Sequence, residues 1–188
     1  IAEVTNGEYT VKKSVQITIL STAASWTASA DDIGKTAGTE LMPGLTCLDT
    51  LTGASLKDVT INGEDLGFYA SSANNGNWND GQVSGAAFKY VPTEDGFINA
   101  YITALGENKT AYIIKEGENL NDCTSTAVGT DGANQLLTAK VKAGETYYIF
   151  VAGSKGRFAK IAFNTSAPYV LWKASADASE GEKVAKNI

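Results

Sequence analysis

The sequence predicts an all-β chain folded as an antiparallel β-sandwich, jelly-roll-like and with little helix. Three observations carry this. Apolar and polar residues alternate over short runs, the period of a half-buried strand. Turn signals separate the runs, among them Pro43-Gly44, Asn62-Gly63 and Ala143-Gly144. Helical periodicity is almost absent, and many short strands without helices pack as two sheets.

Taken in order, Tyr9 and Val11 share one face, and Val15, Ile17 and Ile19 share another beyond Lys12-Lys13. These read as two short strands. Thr22–Ala30 is small and β-prone, and its Trp26 reads as an indole filling a sheet face. Asp31–Gly44 is loop. Its Asp31 and Asp32 offer hard oxygens for a structural calcium, but without the alternating carboxylates of an EF-hand they read better as a solvated turn. Leu45 and Cys47 begin a strand, and Val59 and Ile61 form another that closes at Asn62-Gly63. Phe68 and Tyr69 lead into Ser71–Gly85, SSANNGNWNDGQVSG, which shows no apolar periodicity and reads as a loop.

Beyond that loop, Phe88 and Tyr90 alternate with Lys89. From Phe97 to Leu105, the face carrying Ile98, Ala100, Ile102 and Ala104 is continuously apolar and is expected to meet the core. Tyr112–Ile114 is a short buried strand, Glu118–Asn134 is turn-rich, and Leu136–Val141, Thr146–Val151 and Phe158–Phe163 are strands. Val91–Phe97 and Val141–Tyr147 each run from a strand through a glycine turn into an aromatic strand, making two similar hairpin corners. Tyr169–Trp172 is a last apolar run, with Trp172 as a docking anchor, and Lys173–Ile188 is a short helix or linker. The expected organisation is therefore N-terminal strands or a linker remnant over 1–20, the sandwich over 21–165, and a strand with a linker-like tail over 166–188. The chain opens in mid-pattern at Ile1 and reads as a piece of something longer, with neighbouring modules as partners.

Composition narrows the function. At 188 residues and 43% hydrophobic, the chain suits one domain with a real core. A net charge of −6 with Arg157 as the only arginine argues against nucleic acid and against an anionic membrane surface. No apolar run is long enough to span a bilayer. The chain contains no histidine, which removes Ser-His-Asp and Cys-His triads and His-ligated zinc. Cys47 and Cys123 form no CxxC pair. They are either one disulfide of an exported protein, the reading favoured here, or two buried thiols.

Chemistry concentrates in the Ser71–Gly85 loop. Trp78 sits there among Asn74, Asn75, Asn77, Asn79, Asp80 and Gln82. Either the indole folds back onto a core, or it is a flat platform for a ligand. Sugars suit such a platform, since their axial C–H faces are apolar and their hydroxyls pair with amides and carboxylates. The length and amide content of the loop favour this second reading. Lys155 and Arg157 lie in a Gly-flanked turn, where the planar guanidinium fork either binds a uronate carboxylate or is simply solvated.

The layout from Trp26-Thr27-Ala28-Ser29, through Gly44-Leu45-Thr46, Gly85–Tyr90 and Val91–Tyr101, to Gly144–Val151 and Ser154–Phe163 carries a resemblance. It resembles the β-sandwich carbohydrate-binding modules attached to secreted bacterial pectate lyases and other plant cell-wall-degrading enzymes, cellulosomal ones included. The resemblance implies an extracellular, monomeric, noncatalytic module that binds polysaccharide at end loops or at an aromatic sheet face. The expected contacts are Trp78, Asn75, Asn77, Asn79, Asp80, Gln82, Tyr69, Lys155 and Arg157. A structural or adhesive spacer of a surface protein is the alternative. An enzyme using Asp80, Asp95 or Glu64 comes third, because carboxylate chemistry needs two acids held together.

Overall fold

The computed structural model describes residues 2–6, 9–13, 22–130 and 132–165. The strands are β1 (Ala2–Asn6), β2 (Tyr9–Lys13), β3 (Thr22–Thr27), β4 (Glu40–Met42), β5 (Leu45–Cys47), β6 (Leu51–Ile61), β7 (Glu64–Ser72) and β8 (Asn77–Asn79). There follow β9 (Gln82–Ser84), β10 (Ala87–Tyr90), β11 (Gly96–Leu105), β12 (Thr110–Lys115), β13 (Thr126–Val128), β14 (Ala133–Val141), β15 (Tyr147–Val151) and β16 (Phe158–Asn164). Among the described residues the only helical turns are 3₁₀ turns at Ala30–Asp32 and Leu120–Asp122. None is long and apolar enough to cross a membrane.

The predicted sandwich is present. One sheet runs β13-β12-β15-β10-β5-β4. The other runs β14-β11-β16-β7-β6, with β3 lying beside β7 along the same edge of β16. All strand pairs are antiparallel. The facing sides bury Trp26, Phe88, Tyr90, Ile98, Ile102, Ile149, Phe158 and Ile161 in one core. Trp26 fills a sheet face as expected, its ring 5.2 Å from that of Phe88. The two hairpin corners meet, with Gly144 N–H donating to the Pro92 carbonyl at 2.8 Å and Ala143 N–H to Asp95 Oδ1 at 2.9 Å.

Each sheet is also covered on its outer side. The Asn62-Gly63 turn, with both φ angles positive as a two-residue hairpin turn requires, folds the end of β6–β7 over Tyr101 and Ala159. There Glu64 accepts from the Tyr101 hydroxyl at 2.8 Å and pairs with Lys160. Across the molecule, β8 and β9 cover Ala87, Ile114, Tyr148 and Phe150.

Four expectations change. Ser71–Gly85 is not wholly loop: Asp80-Gly81 turns with φ +48° and +81°, pairing Trp78 with Val83. The apolar face of β11 stops at Ile102. A bulge follows, so Ala104 is exposed with φ +47° and Leu105 turns into the core instead. Asp32 is buried rather than solvated, accepting from Ser29 N–H at 2.8 Å and pairing with Lys35 at 2.5 Å. Desolvation alone would raise its pKa, but the hydrogen bonds from Lys35 and Ser29, with the Lys35 charge, outweigh that and hold the carboxyl below its ordinary range. Its oxygens are thus committed, and among the described residues no three acidic or thiol groups gather as metal ligands.

The fourth change concerns the cysteines, which are both free thiols. Cys47 lies between the sheets and donates to the Thr36 carbonyl, whereas Cys123 packs on the outer side of the first sheet and donates to the Ile113 carbonyl. With the sheet between them they cannot bond. Burial pushes both thiols up. Titration of unfolded, unreduced protein is expected to find two reactive thiols; finding none would contradict this placement.

In the N-terminal segment, the expected strand at Tyr9 and Val11 is β2, and it pairs with β1. The expected strand at Val15–Ile19, the apolar run Tyr169–Trp172 and the tail to Ile188 lie outside the described residues.

Candidate functional site

The predicted contact residues separate into two places. Trp78, Asn77, Asn79, Asp80 and Gln82 belong to the β8–β9 hairpin. In β8 the outer two residues are exposed and Trp78 turns inward, half-buried. Its indole lies nearly parallel to Phe150, with centroids 5.9 Å apart and planes at 6°, and edge-on to Tyr148 at 5.9 Å. These contacts are the aromatic geometry of packing. Gln82 and the Tyr148 hydroxyl both donate to Glu116, at 3.3 and 2.7 Å. Burial, then the hydrogen bond to Glu116 and its charge, push Tyr148 up to about 12, so the phenol keeps its proton.

Tyr69, Asn75, Lys155 and Arg157 instead line one groove, of about 740 Å³, at the end of the second sheet. That volume falls in the range of small-molecule sites. The groove is built where five separate segments meet, one of them β6 with Thr52 and Gly53. β7 presents Tyr69 and Ser71. The Gly153–Arg157 turn enters β16, fixed by Ser71 Oγ donating to the Gly156 carbonyl at 2.7 Å and by Thr103 N–H donating to the Arg157 carbonyl at 2.8 Å. Asn75 is carried alongside by Gly76, which exchanges hydrogen bonds of 2.9 Å with Ser154 and Gly153. A Cβ at Gly76 would stand 2.7 Å from the Ala86 carbonyl, so only glycine allows this approach. Asn74 is pinned from the other side by Asp49, which accepts its N–H at 2.9 Å.

The guanidinium of the exposed Arg157 lies over the half-buried Tyr69 ring, 4.9 Å from its centroid. The stacking holds a flat cation on a flat aromatic. The remaining wall comes from the β11 bulge and the turn after it, Thr103 to Lys109. The Lys109 ammonium donates to the Gly153 carbonyl at 3.2 Å, tying the two loops together.

Thr103, Ala104 and Lys109 are among the groove residues to which the sequence does not point. Thr103 is 1% exposed and its hydroxyl has no hydrogen-bond partner. Ala104 holds a left-handed φ, which costs about 1 kcal/mol or more for a residue with a Cβ, and Asn134 Oδ1 accepts its N–H at 3.0 Å. Lys109 lies in the turn that follows the bulge. Nothing in the alternation of β11 marks the bulge that brings these three to the groove.

The acids named for catalysis are apart, and Glu64 and Asp95 are engaged. Glu64 lies on the outer side of the second sheet, bound to Tyr101 and Lys160. Asp80 is in the turn over the first sheet, and Asp95 caps the corner at Ala143.

No family model matches the sequence, and no curated protein matches it. Among solved structures, the chain is similar to one described by the words "The complexity of the Ruminococcus flavefaciens cellulosome reflects an expansion in glycan recognition". The identity is 11% and the TM-score 0.42, over 77% of this chain and 96% of that one.

Proposed function

We propose that this sandwich is a noncatalytic glycan-binding module, one that attaches a larger secreted enzyme to plant cell-wall polysaccharide outside the cell. The observation that carries the reading is the groove in which Tyr69, Asn75, Lys155 and Arg157 converge. Its lining is rich in hydroxyl, amide and backbone groups suited to sugar hydroxyls, and Tyr69 with Arg157 supplies a flat surface for a pyranose ring. The groove contains no carboxylate to act as acid or nucleophile. In this reading Trp78 supports the fold by packing on the first sheet, away from the groove, and Asn77, Asn79, Asp80 and Gln82 are peripheral.

Gel retardation with a panel of neutral and acidic plant polysaccharides, run beside a reducing-end assay, tests the proposal. Retardation by at least one polymer, with no new reducing ends, is expected. Migration unaffected by every polymer removes the binding reading, and release of reducing ends removes the noncatalytic one.

A further inference from the structure

We propose that the groove selects anionic glycans, those whose sugars carry carboxylate or sulfate, and that Arg157, Lys155 and Lys109 together read the charge. This rests on the glycan-binding reading above and names its ligand class.

The charge distribution of the groove is opposite to that of the chain as a whole. Acidic residues outnumber basic ones in the chain, 21 to 15, yet the groove lining holds Lys109, Lys155 and Arg157 and neither Asp nor Glu. Among the described residues no carboxylate pairs with these three, whereas Lys35, Lys115 and Lys160 are each matched to an acid. A local excess of one sign in a concave wall focuses potential and favours the opposite charge.

The cations are also preorganised. Arg157 rests on Tyr69, and the backbone on either side of it is fixed from β7 and β11. Its donors are held in a fork that matches two oxygens of a carboxylate or sulfate, and its charge persists at every ordinary pH. The Lys109 ammonium is placed by a backbone carbonyl and keeps donors to spare.

A third feature of the groove does not depend on charge. Thr103, in the same lining, has a buried hydroxyl with no partner. Its neighbour Ala104 is held in a strained backbone conformation. An unpaired buried hydroxyl and a left-handed alanine at consecutive positions are costs that a fold keeps where a ligand meets it.

The test is affinity electrophoresis with polygalacturonate, its fully methyl-esterified form, dextran sulfate, a neutral galactan and a single-stranded oligonucleotide. Polygalacturonate or dextran sulfate is expected to bind at least about tenfold more tightly than galactan, and the two arms show which anion is read. If it is the carboxylate, esterification should weaken binding about tenfold, since it removes charge while keeping the sugars. Arg157→Met should weaken binding of the preferred polymer by a similar factor and Lys109→Gln by less, both with unchanged melting temperature. Lys57→Gln, on the exposed edge strand, should leave it unaltered. Equal binding of charged and neutral polymers overturns the charge inference while leaving glycan binding intact. Binding of the oligonucleotide as tightly as the acidic glycans also overturns it, because the cations would then be attracting any polyanion. No binding of any glycan removes both readings.

Discussion

Gly156→Ala is expected to lower the melting temperature by about 6–12 °C and to abolish glycan binding. Gly156 lies between Lys155 and Arg157 with φ +62°, a region that costs an L-residue about 1–2 kcal/mol. A Cβ there would stand 2.6 Å from the Phe158 ring and 3.0 Å from Val151 Cγ2. Both neighbours are fully buried, so neither can move aside without disturbing the inter-sheet core. Overpacking of that kind adds about 1–3 kcal/mol. The sum, about 3 kcal/mol, gives the stated shift for a domain of this size. If the turn relieves the clash by moving outward, Arg157 leaves Tyr69 and the groove is lost. Gly144→Ala is the control, since it has φ +75° and open space around its Cβ position. It should show only the conformational part, with binding intact. Equal effects of the two substitutions, by calorimetry and affinity gel, would refute the role given to the Phe158 contact.

Trp78→Ala is expected to cost about 2 kcal/mol, below the 3–5 typical of a fully buried aromatic because the indole is half-exposed. Removing it uncovers Phe150 and Tyr148 and leaves Val83 as the main apolar residue holding β9 to the sheet. A fall of about 4–8 °C in melting temperature should follow. Affinity per folded molecule should change less than about twofold, because the Tyr69–Arg157 groove is built by other segments. Unchanged melting with collapsed affinity would restore Trp78 as the ligand platform and sink the packing role.

The fold was legible because strand alternation and turn chemistry are local. Asn62-Gly63 shows it: two positions that tolerate positive φ, between apolar residues, specify a hairpin before any tertiary contact forms. Asp80-Gly81 carries the same signal, but strands of three residues offer too little alternation to mark a hairpin. The bulge at Ala104 was illegible for the opposite reason. Ile102 to Leu105 fits a regular strand, and only pairing with β14 and β16 forces the shift. The candidate site was legible residue by residue but not as a constellation. Tyr69, Asn75 and Arg157 were all named, but their meeting depends on β7 and β16 lying side by side. Lys109 gains meaning only from the Gly153 carbonyl.

The pairing of β3 with β16 has a mechanical consequence. The two strands are antiparallel, and Thr22 is matched to Asn164. A pull on the chain at these two residues would therefore load the ladder from one end and open its hydrogen bonds in succession, like a zipper. Strands pulled from opposite ends must shear many bonds at once and resist far larger forces. This sandwich would thus yield early under traction, a poor property for a tether in a stretched surface fibre. The last part of β16 to feel the pull is Phe158, about 20 Å away at strand spacing, where the Arg157 turn begins.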